Sequence, residues 1–161
     1  NPDHVALLVA FDTWTLNCDR HAPHPGRRPH PDNVFLSRKD GAAKQRTLVA
    51  MDQGHCFTCG REITRRIAEI GHVQDDRLYG LFPAFKPLLE LETLRAAATA
   101  LATVDPAAVR RMFDALPAEW RVGDDARAAW LDFVLRRAEW LAARFVSRVT
   151  LEISGQGELG L

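Results

Sequence analysis

Three oxygen-bearing side chains in the first third of the sequence have the types and the order that phosphoryl transfer requires. Asp19 follows a candidate helix, Asn33 precedes a short apolar segment, and Asp52 begins an Asp-x-Gly sequence. Phosphoryl transfer needs an Asp that orients the attacking hydroxyl, and oxygen ligands for the magnesium ions that bridge the phosphates. Mg²⁺ often takes only one or two ligands from the protein. Asp19 is therefore a candidate catalytic base, and Asn33 and Asp52 are candidate metal ligands; the alternative is that Asp19 and Asn33 are solvated loop residues and Asp52 is a turn former.

A predicted β-hairpin would position these side chains. Residues 34–36 and 47–51 read as two short strands, and residues 38–46, which contain Asp40-Gly41, read as the turn between them. Because a hairpin brings its two ends together, Asn33 and Asp52 are expected to converge. A helix from Asp3 to about residue 16, followed by the Pro-rich loop 17–33, would deliver Asp19 to the same place.

The remainder of the chain predicts a helical bundle. We expect a short helix over 60–69, a loop over 71–87, a helix over 88–103 and a helix over 106–116 that is capped by Asp105. The longest helix is predicted to begin at Asp124 or Asp125 and to run through Phe145. The Gly-rich residues 154–161 read as a flexible tail. The predicted fold class is α+β and mainly α-helical: one domain over 1–153, with a catalytic loop 17–33, a hairpin 34–52 and a bundle 60–150.

Composition excludes several classes of protein. The chain has 161 residues, a formal net charge of +0 and 47% hydrophobic residues, which is typical of one globular domain without a strong nucleic-acid signal. No apolar run is long enough to span a membrane. Three cysteines do not form a disulfide framework, so a reducing, cytoplasmic setting is expected.

Three sequence blocks carry a resemblance to a known family. They are FDTWTLNCDRH (11–21), NVFL (33–36) and MDQGHCF (51–57), and together they resemble the HipA-like kinases. The resemblance implies the C-terminal lobe of a protein-kinase-like fold that uses ATP and Mg²⁺. It gives Asp19 the role of catalytic base and Asn33 and Asp52 the role of magnesium ligands. Supporting roles in the catalytic loop and the metal motif would fall to Asn17, Arg20, His21, Gly54 and His55.

The sequence departs from the family pattern at several points. Family spacing places the metal-binding Asn five residues after the catalytic Asp, and His24 occupies that position here. Because Asn33 lies further along the chain, segment 22–30 is interpreted as an insertion. Asp32 is an alternative metal ligand. Gln53 stands where the family commonly has His. No Lys follows a Gly-rich loop on a strand, and the chain begins without Met.

We therefore expect the chain to be the C-terminal lobe of a longer kinase, incomplete and inactive alone, or a degenerate relative. The expected partners are the missing N-terminal lobe, a protein or small-molecule phosphoacceptor and, as for some of the family, an antitoxin-like protein.

Two other functions remain open. The chain could be a non-catalytic helical module whose hairpin and basic Pro-rich loop contact a partner protein. Alternatively, the C-x-x-C sequence of Cys56 and Cys59 could bind zinc together with Cys18 and His21. The Gly-x-Gly-x-x-Gly pattern at 155–160 opens no helix after a strand, so we assign it to the flexible tail.

Overall fold

The computed structural model describes residues 2–23, 26, 28–38, 46–59, 61–62 and 64–155. The fold is mainly helical with one small antiparallel sheet, so the coarse prediction of an α+β chain is confirmed. Most of the predicted hairpin turn and nearly all of the predicted tail lie outside the described residues. The elements are helices α1 (Pro2–Trp14), α2 (Cys56–Cys59), α3 (Ile70–Val73), α4 (Leu91–Ala102), α5 (Pro106–Asp114), α6 (Asp124–Ala142) and α7 (Phe145–Ser154), and strands β1 (Val34–Arg38) and β2 (Arg46–Ala50).

Helix α1 is largely buried and ends in a tight turn that starts the predicted catalytic loop. The N–H of Asn17 donates to the carbonyl of Asp12 over 2.8 Å, and the N–H of Leu16 donates to the carbonyl of Thr13 over 3.4 Å. This is the Schellman arrangement, which needs a left-handed residue at the turn, and Leu16 has a φ of 53°. Glycine usually occupies this position, so Leu16 holds a strained backbone where the helix meets the loop.

The hairpin forms as predicted. Strands β1 and β2 pair antiparallel in a register that sets Val34 opposite Ala50 and Leu36 opposite Leu48. The N–H of Leu48 also donates to Nδ1 of His4 over 3.3 Å, which joins the hairpin to α1. The two ends of the hairpin therefore lie together beside the first helix.

The predictions for the middle of the chain are partly wrong. Instead of one short helix over 60–69 and a loop over 71–87, the described residues contain α2, α3 and two 3₁₀ segments, Arg65–Ala68 and Pro83–Leu88. Helices this short have no hydrophobic periodicity to detect, and Pro83 and Pro87 favour a 3₁₀ segment over a longer helix. The cap at Asp105 is confirmed, since its side chain accepts from the N–H of Ala107 over 2.9 Å.

The predicted long helix is two helices. Helix α6 ends at Ala142, and Arg144, with φ −123°, leads into α7. Phe145 is fully buried, in one core cluster with Val9 of α1 and Leu94 of α4. Leu141, Phe145 and Val149 follow one another at intervals of four residues, so the apolar pattern of one continuous helix runs across the break and hides it.

A buried arginine joins the bundle to the end of α1. Arg137 of α6 is 0% exposed and donates to the carbonyls of Thr13 and Trp14, at 2.6 and 3.0 Å. It also donates to the carbonyls of Val73 and Asp75. The last carbonyls of a helix have no partner within the helix. Arg137 satisfies those of α1 and so fixes the point from which the predicted catalytic loop departs.

Candidate functional site

A second buried arginine, Arg20, organises the site. Its Nε donates to Oδ2 of Asp12 over 2.7 Å, and both side chains are 0% exposed. Its NH1 donates to the carbonyl of Asn33 over 2.9 Å and to that of Met51 over 3.0 Å. Its NH2 donates to Oε1 of Gln53 over 2.7 Å. One guanidinium thus binds α1 and both ends of the hairpin, which is the loop-shaping role expected for Arg20.

Asp19 and Asn33 are brought into direct contact. Nδ2 of Asn33 donates to Oδ2 of Asp19 over 2.8 Å, across 14 positions of sequence. The backbone N–H of Asp19 donates to Oδ1 of Asn17 over 3.2 Å, so Asn17 supports the loop as expected. The Asp19 side chain remains 16% exposed. Asp19 therefore combines a fixed orientation with access to solvent.

Asp52 lies at the other end of the hairpin in a strained conformation. Its φ is 57°, which is left-handed, and its Oδ1 accepts from the N–H of Gly54 over 3.2 Å. The N–H of Met51 donates to the carbonyl of Asn33 over 3.0 Å, so the residues before β1 and after β2 are bonded to each other. Strained residues persist where the surrounding structure over-determines them, and they cluster at functional sites.

Asp19, Asp52 and His55 form one cluster of side chains. One oxygen of each carboxylate and one ring nitrogen of His55 lie within 4.8 Å of one another. Nδ1 of His55 is 3.8 Å from Oδ1 of Asp19, and Nε2 of His30 is 3.9 Å from the same oxygen. The predicted convergence of Asp19, Asn33 and Asp52 is therefore observed. His55 belongs to the same cluster through its ring, and His30 lies beside it.

The oxygen donors at this site fit a magnesium ion. In Asp52, the carboxylate oxygen Oδ1 accepts a hydrogen bond from the backbone N–H of Gly54, and that bond does not involve the other carboxylate oxygen. Asn33 uses its Nδ2 toward Asp19, so its amide oxygen is not committed by that bond. An Asn oxygen and a carboxylate oxygen at one end of a hairpin are hard ligands of the type that Mg²⁺ accepts.

Asp12 and Gly80 are site residues that the sequence interpretation missed. Asp12 also accepts from Nδ2 of Asn17 over 3.0 Å. Burial raises the pKa of Asp12, and the hydrogen bonds and charge of Arg20 oppose that rise. Gly80 has a φ of +70°, and a Cβ there would lie 2.3 Å from Oδ2 of Asp12. The local signal for Asp12 was an acidic residue that directly follows the apolar segment 5–11 of α1.

His21 and Asp32 were predicted as site residues, but they do not belong to the cluster of Asp19, Asp52 and His55. The ring of His21 packs against Phe82 with 5.1 Å between ring centroids, and its carbonyl accepts from the N–H of Gly80 over 2.9 Å. Burial lowers the pKa of His21. Asp32 is exposed in the 3₁₀ segment Pro31–Asn33, and the contact to Asp19 is made by Asn33 instead. His21 therefore contacts the loop from outside the cluster, and Asn33, not Asp32, makes the side-chain contact to Asp19.

The structure describes the side chains of two of the three cysteines considered for a zinc site, Cys18 and Cys56. Cys18 is disulfide-bonded, so it offers no thiolate. Cys56 is free, its Sγ lies 3.4 Å from Oγ1 of Thr15, and burial raises the pKa of its thiol. The side chain of Cys59 lies outside the described residues. The zinc interpretation therefore loses Cys18 as a ligand.

Comparison with known proteins adds no relative: no family model, curated protein or solved structure matches the chain. No helix in the described ranges combines the length and the apolar character needed to cross a membrane.

Proposed function

We propose that this chain provides the catalytic loop and the metal-binding hairpin of an ATP- and Mg²⁺-dependent phosphotransferase of the HipA-like kinase type. The observation that carries the proposal is the meeting of Asp19, Asn33 and Asp52 at the open end of one hairpin. Three polar residues that lie far apart in the sequence are assembled there by a buried charge pair. In such a site Asp19 would accept the proton of the attacking hydroxyl.

The proposed roles follow from the contacts of each side chain. The bond from Asn33 holds one oxygen of Asp19 and leaves the other for a substrate hydroxyl. Asn33 and Asp52 would hold Mg²⁺, which, when bound, neutralises charge on the phosphates. Asn17 and Arg20 are positioning residues, because they contact the loop and the hairpin backbone. The lysine for the α- and β-phosphates would come from a second lobe, by resemblance to the family.

Phosphate transfer from radiolabelled ATP by the intact gene product tests this proposal. Replacing Asp19 by Asn should reduce the transfer rate by about 10²- to 10⁴-fold, the usual contribution of a general base. Asp32→Asn is the matched control, since it changes an exposed carboxylate in the same loop. An Asp19→Asn protein as active as the parent would remove Asp19 from the reaction and sink the proposal.

A second candidate is a non-catalytic protein-interaction module. Phe35, Leu36 and Met51, on and just after the hairpin strands, are 46%, 52% and 49% exposed. Consecutive strand residues face opposite sides, so Phe35 and Leu36 expose apolar surface on both faces of the hairpin. Large exposed apolar side chains are typical of a contact surface. This candidate predicts that Phe35→Ser weakens capture of a partner and that Asp19→Asn does not. The phosphotransferase proposal predicts that Asp19→Asn reduces transfer by about 10²- to 10⁴-fold.

A further inference from the structure

Among the side chains at the open end of the hairpin, the ring of His55 has no role in the proposed magnesium site. Its Nδ1 is buried and has no hydrogen-bond partner among the residues that the structure describes, although the side chain as a whole is 44% exposed. A buried polar atom without a partner costs free energy unless something satisfies it. The atoms nearest to it include Oδ1 of Asp19, at 3.8 Å, which is too long for a hydrogen bond.

That separation suits two ligands of one ion. Nitrogen and oxygen ligands lie about 2.0–2.2 Å from a bound transition ion, so two of them can be at most about 4.4 Å apart. The 3.8 Å between His55 and Asp19 lies within this limit. Asp52 contributes a third ligand: one of its carboxylate oxygens, one of Asp19 and a ring nitrogen of His55 all lie within 4.8 Å of one another, and the Asp52 side chain is exposed.

The charges of the cluster also favour a cation. Asp19 and Asp52 bring two carboxylates together, and like charges at this distance disfavour each other. The guanidinium of Arg20 is committed to Asp12, to Gln53 and to backbone carbonyls, and it neutralises Asp12 instead. A divalent ion between the carboxylates would relieve the repulsion and satisfy the ring nitrogen of His55 at the same time.

The surrounding bonds hold the ligands in place. Asn33 donates to Oδ2 of Asp19, which orients that carboxylate and leaves Oδ1 toward His55. The N–H of Phe57 donates to the carbonyl of Thr15, and the N–H of Cys56 donates to that of Gln53, so the backbone on the C-terminal side of His55 is fixed. Such outer contacts tune metal sites and raise their affinity.

We propose that Asp19, Asp52 and His55 form a mononuclear site for a divalent transition ion of the Mn²⁺, Co²⁺ and Zn²⁺ class. An imidazole nitrogen beside two carboxylates suits these ions, whereas Mg²⁺ strongly prefers oxygen ligands. The inference goes beyond the proposed phosphotransferase and does not depend on it, since it needs only these three side chains. Oδ1 of Asp19 cannot bind this ion and accept a proton at the same moment, so a transition ion here would compete with catalysis.

Cobalt binding to the purified, chelator-treated full chain tests the proposal. We expect one Co²⁺ per chain, with visible absorption bands of the bound ion that persist in millimolar Mg²⁺. His55→Ala should weaken binding by at least about 10-fold, and pulsed electron paramagnetic resonance of the Mn²⁺ form should lose its nitrogen coupling. His30→Ala is the matched control, because His30 is equally close to Asp19 but lies outside the three-residue cluster.

Three results would overturn the inference: no saturable binding, equal affinity in His55→Ala and parent, or displacement by equimolar Mg²⁺. Circular dichroism of both variants establishes that they are folded. Phosphate transfer in Mg²⁺ separates the two proposals. Transfer without cobalt binding refutes the transition-ion site alone, and cobalt binding without transfer refutes the phosphotransferase alone.

Discussion

The side-chain amide of Asn33 donates to Oδ2 of Asp19 over 2.8 Å, although 14 positions separate the two residues. A backbone bond nearby accounts for this closeness. The N–H of His30 donates to the carbonyl of Arg20 over 2.9 Å. This bond sets the residues just before Asn33 beside the residue that follows Asp19.

This contact predicts that Asn33 and Asp32 differ in importance. Asn33→Ala removes the bond to Asp19 and a proposed metal ligand, so phosphate transfer should fall by about 10- to 100-fold. Asp32→Ala should leave transfer within about two-fold, because Asp32 is exposed and lies outside the cluster. Initial rates of both variants at saturating Mg²⁺ measure the difference. Equal losses of activity in the two variants would mean that the contact between Asn33 and Asp19 does not distinguish Asn33 from Asp32 in the reaction.

The pair of Arg20 and Asp12 should dominate the stability of this region. Removing one partner of a buried ion pair usually costs about 3–5 kcal/mol, because the other charge is left buried. Arg20→Met is therefore expected to lower the free energy of unfolding by about that amount in urea denaturation. Arg20→Lys, which keeps the charge and loses the forked geometry, should give a smaller loss and remain measurable if Arg20→Met fails to fold.

Arg136→Met provides the control for this experiment. Arg136 also pairs with an Asp, but Arg136 and Asp132 are 44% and 48% exposed on α6. Exposed pairs of this spacing contribute about 0.3–0.5 kcal/mol. If Arg20→Met were no more destabilising than Arg136→Met, the buried pair would not be the centre of the site.

Local sequence patterns predicted the parts of the fold that depend on local chemistry. The hairpin follows from two short apolar segments around turn residues, and the cap at Asp105 follows from an acid placed before a proline. The convergence of Asp19 with Asn33 and Asp52 was also predictable, because a hairpin must bring its ends together. Each of these inferences used residues that are neighbours in sequence or are joined by one turn.

The contacts that fix the site could not be predicted in that way. Arg137 reaches Thr13 across 124 positions, and Gly80 is needed because Asp12 occupies the space where a side chain would be. Neither fact leaves a periodic pattern in the sequence. The break between α6 and α7 was missed because Leu141, Phe145 and Val149 keep the spacing of one helix face across it. Long-range packing, not local propensity, determines the contacts of Arg137 and Gly80.

Gly80 provides a test of how tightly Asp12 is held. In Gly80→Ala the new Cβ would lie 2.3 Å from Oδ2 of Asp12, and the φ of +70° disfavours alanine by itself. Asp12 is 0% exposed and bonded to Arg20, so it cannot move aside easily. We expect a loss of about 2 kcal/mol or more from the combined clash and backbone strain, measured by urea denaturation.

Gly71→Ala is the corresponding control. No atom lies within 4 Å of a Cβ built at Gly71, and the residue is in helix α3. Alanine favours a helix over glycine by about 0.5–1 kcal/mol, so this change should be neutral or stabilising. A Gly80→Ala protein as stable as Gly71→Ala would show that Asp12 has another position available to it.

The acid sensitivity of the bundle should depend on Asp75. Burial raises the pKa of Asp75, but hydrogen bonds from Arg77 outweigh this and hold the pKa below the usual value of 3.8. Oδ2 of Asp75 also accepts from the hydroxyl of Tyr79 over 3.1 Å. Because the pKa is lower in the folded state, the stabilisation is present above about pH 3.8 and is lost as the pH falls through the lowered pKa.

Asp75→Asn should therefore cost about 1.5–3 kcal/mol at neutral pH, the contribution of hydrogen bonds to a charged group. The difference from the parent should shrink below about pH 3.8, since protonated Asp resembles Asn in charge and shape. Asp76→Asn, which changes the exposed neighbouring carboxylate, should have a much smaller effect. Urea denaturation at a series of pH values measures all three proteins. A cost of Asp75→Asn that stayed constant down to the acid limit would show that the carboxylate charge contributes nothing, and that the loss comes from replacing an acceptor oxygen by an amide NH₂ group.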